Sequence, residues 1–427
     1  MRILLLSDSY PPLIGGATRA VHLLALGLVR RGDHVVVATP WQSATLAEED
    51  VEGIRVHRLD GIWSRLWRLL RKDAIRYRYT PPPVPDPEVV WRLRRLIRCS
   101  QPDVVMSYGW LSYGAAVAMT GIRIPLILSG RDYSNICAIR TLLRFGEPCT
   151  GPAWAKCLSC ASESYGSNTK AFIAVGAVLG QRRLLQRRVS ALHTCSRYVQ
   201  GMIHSHLLGR NLSSRLTADV VIPDYRAAPR KSASEDPRLP TRPYILFVGA
   251  FRRVKGIDVL AAAYDRLTDA PPLVLIGTPS SDPLPPLPES AVVLENLSQE
   301  EVMAAWPRAL FGVAPSVLPE PLGNVIHEGM SAGRPVIGTF PGGQAEIIVH
   351  EENGLLVPSG SVSALAEAMQ RLIDDPTLRE RLGDVAARDA ERFTEAQQLP
   401  RFTALLDTAA KGRGAMRHAG KGGKSRS

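Results

Sequence analysis

Residues 2–39 read RILLLSDSYPPLIGGATRAVHLLALGLVRRGDHVVVAT, and this stretch predicts the type of fold. Arg2–Ser7 contains a continuous apolar run, which is typical of a buried strand in a parallel sheet. After the loop 8–16, apolar residues recur at helical spacing and predict a helix that ends at Gly32. His34–Thr39 predicts the next strand. A strand, a helix and a strand within about 40 residues form a βαβ unit, so we predict an α/β fold with a parallel sheet between layers of helices.

The same pattern continues through the chain, and a change in composition divides it in two. At 427 residues the chain is too long for one compact core. We assign residues 1–225 to a first domain, 226–243 to a linker rich in Pro, Ser, Arg and Asp, and 244–395 to a second domain. Both are expected to be doubly wound and Rossmann-like, with a ligand cleft between them. The further predicted strands are Asp103–Met106, Pro125–Leu128, Ala171–Val175, Val220–Ile222, Tyr244–Val248, Leu273–Ile276, Val292–Leu294, Leu310–Ala314, Pro335–Ile337 and Leu355–Val357.

The end of the chain predicts a helix followed by a tail. Residues 396–410 are expected to form a helix that packs back on the first domain. Lys411–Ser427 contains six Lys and Arg residues, no acidic residue and almost no large apolar side chain. Such a segment buries too little to offset its ordering entropy, so we predict that it is disordered.

The composition is that of a soluble globular protein, with 45% hydrophobic and 22% charged residues and a net charge of +12. A basic chain can bind nucleic acid, an anionic membrane surface or a phosphate-bearing ligand. No recognisable nucleic-acid module is present, which favours the last two and predicts no nucleic-acid partner. No signal-peptide pattern begins the sequence, and no apolar run reaches the roughly 20 residues of a membrane-spanning helix. The sequence therefore predicts a cytoplasmic protein with reduced thiols.

The strongest motif is APSVLPEPLGNVIHEGMSAGRP, residues 314–335. A strand runs into a Pro/Gly turn that opens a helix, so backbone amides near 322–324 can approach an anion at the helix N-terminus. Glu320 lies in the turn and Glu328 in the helix, where two carboxylates can bind different hydroxyls of one extended ligand. A helix cap plus a surface glutamate is the alternative interpretation. The candidate binding residues here are Glu320, Pro321, Leu322, Gly323, Asn324 and Glu328.

This segment resembles the E-P-F-G-x4-E-A-M-A-x-G-x-P signature of the family-4 glycosyltransferases. Leu322 replaces the usual Phe and Gly329 the usual Ala. The resemblance implies a GT-B architecture, a nucleotide-diphosphate sugar as co-substrate and transfer with retention of configuration. It also implies that Glu320 binds the donor sugar and Glu328 the ribose.

A second motif, YILFVGAFRRVKG at residues 244–256, ends a strand at Gly249 and adds three cations before a helix. Cations at such a turn can neutralise a diphosphate leaving group. The motif resembles the V-G-R-L-x3-K-G loop of the family, with Lys255 at the expected place. Ala250 replaces the family's arginine, so either Arg252 or Arg253 supplies that charge. A solvated surface loop is the alternative.

The first domain resembles the family less closely. Gly15 and Gly16 lie in a glycine-rich first loop, whose amides in the family approach the diphosphate or the acceptor. Family members often carry a histidine on the acceptor side, where this chain has Arg131 and Asp132. Asp132 is a candidate acceptor contact or base, and equally a helix cap. Gly342 and Gly343 resemble the family's Gly-Gly loop, which we interpret as structural.

Four cysteines occur within residues 137–160, in an insert of the first domain. Their spacing permits a tetrahedral zinc site, and a subgroup of the family carries a similar insert. Buried free thiols and disulfides are the alternatives, of which a reducing cytosol disfavours the disulfides. These residues are Cys137, Cys149, Cys157 and Cys160.

Two basic, aromatic segments, Trp63–Lys72 and Trp91–Arg98, are amphipathic. They favour contact with an anionic membrane beside a lipid-linked acceptor, although helices packed on the sheet would show the same pattern.

The sequence therefore predicts a retaining hexosyltransferase that needs no metal at the diphosphate, because side chains and amides supply the positive charge. The acceptor is a glycan, a lipid-linked molecule or a small molecule. A sugar-nucleotide epimerase of similar fold and a non-catalytic sugar-nucleotide-binding scaffold with a cysteine metal site are the alternatives.

Overall fold

The computed structural model describes residues 1–13, 15–43, 45–70, 81–209, 214–226, 236–280 and 282–419. Of the predicted features, Arg71 and Lys72, half of the linker (227–235) and the last residues of the tail (420–427) lie outside the described residues.

The chain forms two compact units. The first contains Met1–Arg140, Thr150–Ile222 and the C-terminal segment from Leu399, and the second contains Thr141–Cys149 and Pro223–Gln398. The sequence predicted that the whole cysteine-bearing insert belongs to the first domain, but the structure divides it between the two units. Its short hairpin, within Thr141–Cys149, groups with the second unit.

An eight-stranded sheet forms the centre of the first unit, in the order β10-β9-β6-β5-β1-β2-β4-β3. All neighbours are parallel except β3 and β4. Ile3 pairs with Val35 of β2 and Val104 of β5, so β1 lies between them. The strands are β1 (Arg2–Leu6), β2 (His34–Pro40), β3 (Glu48–Val51), β4 (Ile54–Leu59), β5 (Val104–Tyr108), β6 (Leu126–Gly130), β9 (Val189–Thr194) and β10 (Ala218–Val221), while β7 (Leu143–Arg144) and β8 (Glu147–Pro148) form the hairpin.

Helices cover this sheet. They are α1 (Gly16–Arg30), α2 (Ile62–Leu70), α3 (Pro87–Ser100), α4 (Leu111–Ala118), α5 (Trp154–Tyr165), α6 (Asn168–Gly180), α7 (Arg182–Arg188) and α8 (Arg197–Ile203). The predicted strand Ala171–Val175 is wrong, because these residues lie within α6. Ala171, Ala174 and Val178 are buried at helical spacing, and Ser167 caps the helix by accepting a hydrogen bond from the Lys170 amide.

The second unit contains six parallel strands in the order β13-β12-β11-β14-β15-β16. The strand order reverses between β11 and β14, and the crevice at such a point is where doubly wound sheets bind ligands. The strands are β11 (Tyr244–Val248), β12 (Leu273–Gly277), β13 (Val292–Glu295), β14 (Ala309–Val313), β15 (Val336–Phe340) and β16 (Gly354–Pro358). The helices are α9 (Ile257–Tyr264), α10 (Gln299–Ala305), α11 (Asn324–Ser331), α12 (Val362–Asp374) and α13 (Pro376–Ala390).

The last helix, α14 (Glu395–Ala419), contacts the first unit. The Phe402 ring lies 4.8 Å from the His193 ring, and Arg401 donates a hydrogen bond to the Val221 carbonyl. Because α14 continues to Ala419, the prediction of a disordered tail from Lys411 is wrong for its first half. Within the described residues, no helix has the length and apolar character needed to cross a bilayer.

Candidate active site

Two loops meet at the reversal point of the second sheet, one after β11 and one after β14. Gly256 has a φ of +76°, and a Cβ added there would lie 1.8 Å from the Pro315 carbonyl oxygen. Only glycine fits so close an approach. The contact fixes Lys255, the preceding residue, beside the β14 loop.

The Glu320 carboxylate is held by two side chains. Lys255 Nζ lies 2.9 and 2.8 Å from its two oxygens, and Ser316 Oγ donates to Oε2 at 2.8 Å. Ser316 is itself fixed, because its carbonyl accepts a 2.8 Å hydrogen bond from Thr339 Oγ1. The Glu320 side chain is 13% exposed and that of Lys255 30%. A carboxylate and an ammonium group are thus oriented together at the carboxyl edge of the sheet.

The turn from Glu320 to Asn324 rests on the loop that follows β15. A Cβ at Gly342 would lie 2.7 Å from the Glu320 amide nitrogen, and one at Gly343 would lie 2.1 Å from the Pro321 carbonyl oxygen. The Gly343 amide donates a 2.6 Å hydrogen bond to the Glu320 carbonyl. These backbone contacts give the Gly-Gly pair a structural function and set the entry into α11.

The first turn of α11 follows directly. Gly323 caps it with a φ of +96°, and Asn324 is its first residue. Leu322 is buried, 5% exposed. The backbone at Pro321–Asn324 therefore brings a helix N-terminus, with its positive partial charge, to the same edge as Lys255.

Glu328 lies one turn further along α11 and is 7% exposed. Gln299, the first residue of α10, donates a 3.0 Å hydrogen bond from Nε2 to Glu328 Oε1. The amide of Gln299 thus orients the second carboxylate, a contact that the sequence did not indicate.

The two arginines of the β11 loop differ in their surroundings. Arg253 Nε lies 3.5 Å from Asp258, and its amide donates to Asp282. Arg252 is exposed and forms no ion pair with the described residues. Gly249, the residue after β11, lies so close to β12 that a Cβ at Gly277 would be 1.8 Å from the Gly249 carbonyl oxygen.

In the first unit, Gly15 precedes α1 and Gly16 is its first residue. The loop before them is fixed at Tyr10, whose hydroxyl lies 2.9 Å from His22 Nδ1. His22 Nε2 lies 2.9 Å from Glu52. A Cβ at Gly15 would make only an ordinary contact, 3.5 Å from Thr18 Oγ1.

Arg131 and Asp132 both form structural contacts. Arg131 is 6% exposed and donates from Nε to Ser129 Oγ at 3.2 Å. Asp132 accepts hydrogen bonds from the Tyr108 hydroxyl and the Ser134 amide, each at 2.9 Å. Residues 131–140 form bends and turns and no helix begins there, so the amide contact closes a local turn and the helix cap that the sequence offered as an alternative for Asp132 is not formed.

Sequence reasoning missed an ion pair at the equivalent reversal point of the first sheet. Asp8, after β1, accepts 2.8 Å hydrogen bonds from the Trp110 and Leu111 amides and caps α4. It is also paired with Arg140, whose guanidinium lies 3.9 Å from the Trp110 ring centroid. The sequence shows only a single aspartate after a strand, and this pattern is too common in proteins to predict the ion pair between Asp8 and Arg140.

The four-cysteine zinc site is not present among the described residues, where no three His, Cys, Asp or Glu side chains lie close enough to hold a metal ion. Cys157 and Cys160 lie within α5, whereas Cys149 follows the hairpin in the second unit and Cys137 belongs to the first. Cys157 and Cys160 have the separation of zinc ligands, but the residues between them form a helix instead of a ligand-bearing turn.

Two family models match the chain, one in each half. The family model described as "Glycosyl transferase 4-like domain" matches residues 15–211, and that described as "Glycosyl transferases group 1" matches residues 242–375. Glycogen synthase of Mycobacterium tuberculosis is 28% identical over 96% of this chain and 95% of its own length.

Two solved structures show the same fold. Sucrose-phosphate synthase from Thermosynechococcus elongatus superimposes with a TM-score of 0.71 at 19% identity, over 96% of this chain and 99% of its own. HepE of Anabaena, in complex with UDP and glucose, gives a TM-score of 0.64 at 19% identity, over 96% and 100% of the two chains. The α/β fold of the GT-B type predicted from the sequence is therefore confirmed. With both family models matched in the expected order, the chain belongs to the family-4 glycosyltransferases.

Proposed function

We propose that this glycosyltransferase is a retaining hexosyltransferase that moves a sugar from a nucleotide diphosphate to an acceptor hydroxyl. The observation that carries the proposal is the network of Lys255, Glu320 and Ser316. It presents an ammonium group and an oriented carboxylate where doubly wound sheets bind ligands. The ammonium group suits a diphosphate, and the carboxylate suits sugar hydroxyls.

The donor nucleotide lies on residues 244–337 in this proposal. Glu320 binds the hydroxyls of the sugar, and Glu328, oriented by Gln299, binds the ribose. The amides at 322–324 face the diphosphate, because a helix N-terminus favours an anion. The resemblance to HepE, whose structure contains UDP and glucose, supports a nucleotide-sugar donor.

Arg252 is the better candidate for the diphosphate arginine. Arg253 already lies close to Asp258 and would have to exchange that contact for a phosphate. Arg252 is exposed beside Gly249 at the end of β11 and has no such competitor among the described residues.

The chemical step follows from this placement. The bond between the sugar C1 and the diphosphate oxygen breaks, and the acceptor oxygen bonds to C1 on the same face. The acceptor proton passes to the departing phosphate oxygen. Lys255, Arg252 and the amides stabilise the negative charge that develops on the leaving group, so we propose that no divalent metal is needed there.

The acceptor side belongs to the first unit in this proposal. Gly15 and Gly16 offer backbone amides at the start of α1, and Asp132 offers a carboxylate beside Tyr108. A glycan, a lipid-linked molecule and a small molecule all remain acceptor classes. A cytoplasmic location stays a prediction from the sequence.

Calorimetry with UDP, GDP, ADP and their hexose conjugates tests the donor site, with and without magnesium. We expect one nucleotide to bind in the absence of metal and to bind at least about tenfold more weakly to Glu328→Ala, the loss of one carboxylate contact. Glu352→Ala, at an exposed position on another loop, is the control. Binding that requires magnesium, or no binding by any nucleotide, would contradict the proposal. Conversion of the donor without any acceptor would indicate an epimerase instead.

A further inference from the structure

Helix α2 exposes apolar side chains on its solvent side. Ile62 is 45% exposed, Leu66 44% and Leu69 83%. These positions are four and three residues apart, so the three side chains form one stripe along the helix. Ser64, between them in sequence, is buried. Helices of a soluble protein normally direct such a stripe inward, and a stripe that faces out indicates a contact with something else.

The neighbouring helix, α3, exposes a basic aromatic face. Trp91 is 58% exposed, and Arg95 and Arg98 are exposed at four and seven residues from it. The Arg95 guanidinium lies 5.9 Å from the Trp91 ring centroid. An indole with arginines beside it is typical of side chains at a boundary between water and lipid.

The two exposed faces meet at Glu88. Arg65 of α2, next to Leu66, pairs with Glu88, and Arg92 of α3, next to Trp91, binds the same carboxylate at 2.8 Å. We call the exposed side chains of Ile62, Arg65, Leu66, Leu69, Trp91, Arg95 and Arg98 the α2–α3 face.

The charge of these helices is strongly positive. Ile62–Leu70 and Pro87–Ser100 together contain six arginines and one acidic residue, Glu88. A nucleic acid would match the charge but would leave the aliphatic stripe in water. An anionic lipid surface matches both, because its headgroups bind guanidinium groups and its interfacial layer accepts aliphatic side chains and indoles.

We propose that the α2–α3 face docks on an anionic lipid bilayer. Leu66, Leu69 and Trp91 enter the interfacial layer, and Arg95 and Arg98 contact headgroup phosphates. Neither helix carries a residue of the proposed donor site, so the proposal is independent of the chemistry above and goes beyond it.

Co-sedimentation of the full chain with vesicles tests this surface. We expect binding to vesicles of phosphatidylcholine with phosphatidylglycerol, weak binding to phosphatidylcholine alone, and weakening as salt is raised. The double variant Leu66→Asp/Leu69→Asp should bind at least about tenfold more weakly, because it removes apolar burial and adds negative charge. Arg95→Ser/Arg98→Ser should lose the preference for phosphatidylglycerol.

Matched variants separate this surface from other sources of binding. Leu46→Asp changes an exposed leucine (68%) outside both helices and should bind normally. Lys421→Ser/Lys424→Ser/Arg426→Ser removes charge from the end of the chain and tests whether that segment binds lipid instead. Circular dichroism and nucleotide binding of each variant show that it is folded.

Three outcomes would overturn the proposal. They are normal vesicle binding by Leu66→Asp/Leu69→Asp, loss of binding only in the variant of the last residues, and no binding by the wild type. If the wild type ignores vesicles but forms a dimer that the double leucine variant abolishes, the face binds a second copy of the chain. Vesicle binding as predicted without nucleotide binding would reject the donor site and leave the surface intact.

Discussion

Glu320 is the residue on which the proposed chemistry depends most. Replacement by alanine removes the contact with the donor sugar and leaves Lys255 without its carboxylate partner. We expect kcat/KM to fall by at least about 100-fold, the scale typical for loss of one strong transition-state contact. Steady-state kinetics on the folded variant check this, with Glu352→Ala as the control. Near-normal turnover by Glu320→Ala would remove this residue from the mechanism.

Ser316 tests whether the orientation of that carboxylate matters. Its hydroxyl contacts Glu320 at 2.8 Å but lies under the loop and is 4% exposed, so we treat it as a positioning residue. Ser316→Ala should lower kcat/KM about tenfold, because a hydrogen bond to a charged group contributes roughly 1.5 kcal/mol. Most of the loss should be in kcat, with nucleotide affinity unchanged. An equal loss of affinity for the nucleotide would indicate that the whole loop had moved.

The candidate site was only partly predictable at the level of single residues. Lys255 and Glu320 were both identified from local motifs. Their ion pair spans 65 residues of sequence and depends on the contact between Gly256 and Pro315. Gln299 gave no signal, because its function comes from its position against α11. Local chemistry shows in a sequence, whereas contacts between loops require the packing of the sheet.

The loop between β11 and α9 requires a glycine at position 256. Gly256→Ala places a Cβ 1.8 Å from a carbonyl oxygen at a φ of +76°. We expect a loss of about 3 kcal/mol or more in unfolding free energy, from strain plus the clash. Gly333→Ala is the control, since Gly333 has a φ of +67° but no atom within 4 Å of the added Cβ, and should cost about 1 kcal/mol. Urea titration measures the unfolding free energy of both variants. Equal losses in Gly256→Ala and Gly333→Ala would contradict the steric explanation.

Short apolar runs identified the strands of the second unit correctly but were ambiguous or absent at several places in the first unit. The strands of the second unit were located to within one residue at each end, except that β15 continues three residues beyond the predicted end, to Phe340. Each is a compact apolar run between turn residues. Ala171–Val175 was mistaken for a strand, since a five-residue apolar run fits a strand and a buried helix equally. The β3–β4 hairpin was missed because Glu48–Val51 is mostly polar, as an edge strand can be.

For the molecule as a whole, buried histidines set the response to acid. His327 is fully buried in α11 and stacks on Phe393 with ring centroids 3.9 Å apart. Burial, assisted by Arg226 and Arg392, lowers its pKa to about 3. Burial also lowers the pKa of His193, in the first unit, well below its usual value. In the unfolded chain both side chains titrate near 6.5.

The folded state therefore binds these protons less readily than the unfolded state. Stability from His327 is fully present above about pH 6.5 and is lost as the pH falls toward 3, by about 2 kcal/mol at pH 5. Carboxylates whose pKa is lowered in the folded state, such as that of Asp60, reduce the stability only at more acid pH, where they become protonated. Urea unfolding at pH 7.5, 6 and 5 measures the slope in a window where the histidines dominate.

His327→Phe should flatten this slope for the transition of the second unit, because the replacement keeps the stacked ring and removes the titrating group. His34→Gln, at an exposed position, should leave it unchanged. Because a chain of two units can unfold in two steps, the dependence of the unfolding free energy on pH is measured for the step in which the second unit unfolds. That step is identified as the one whose midpoint changes in His327→Phe. An unchanged slope in His327→Phe would mean that burial does not keep His327 neutral in the folded state, and would contradict this origin of the acid sensitivity.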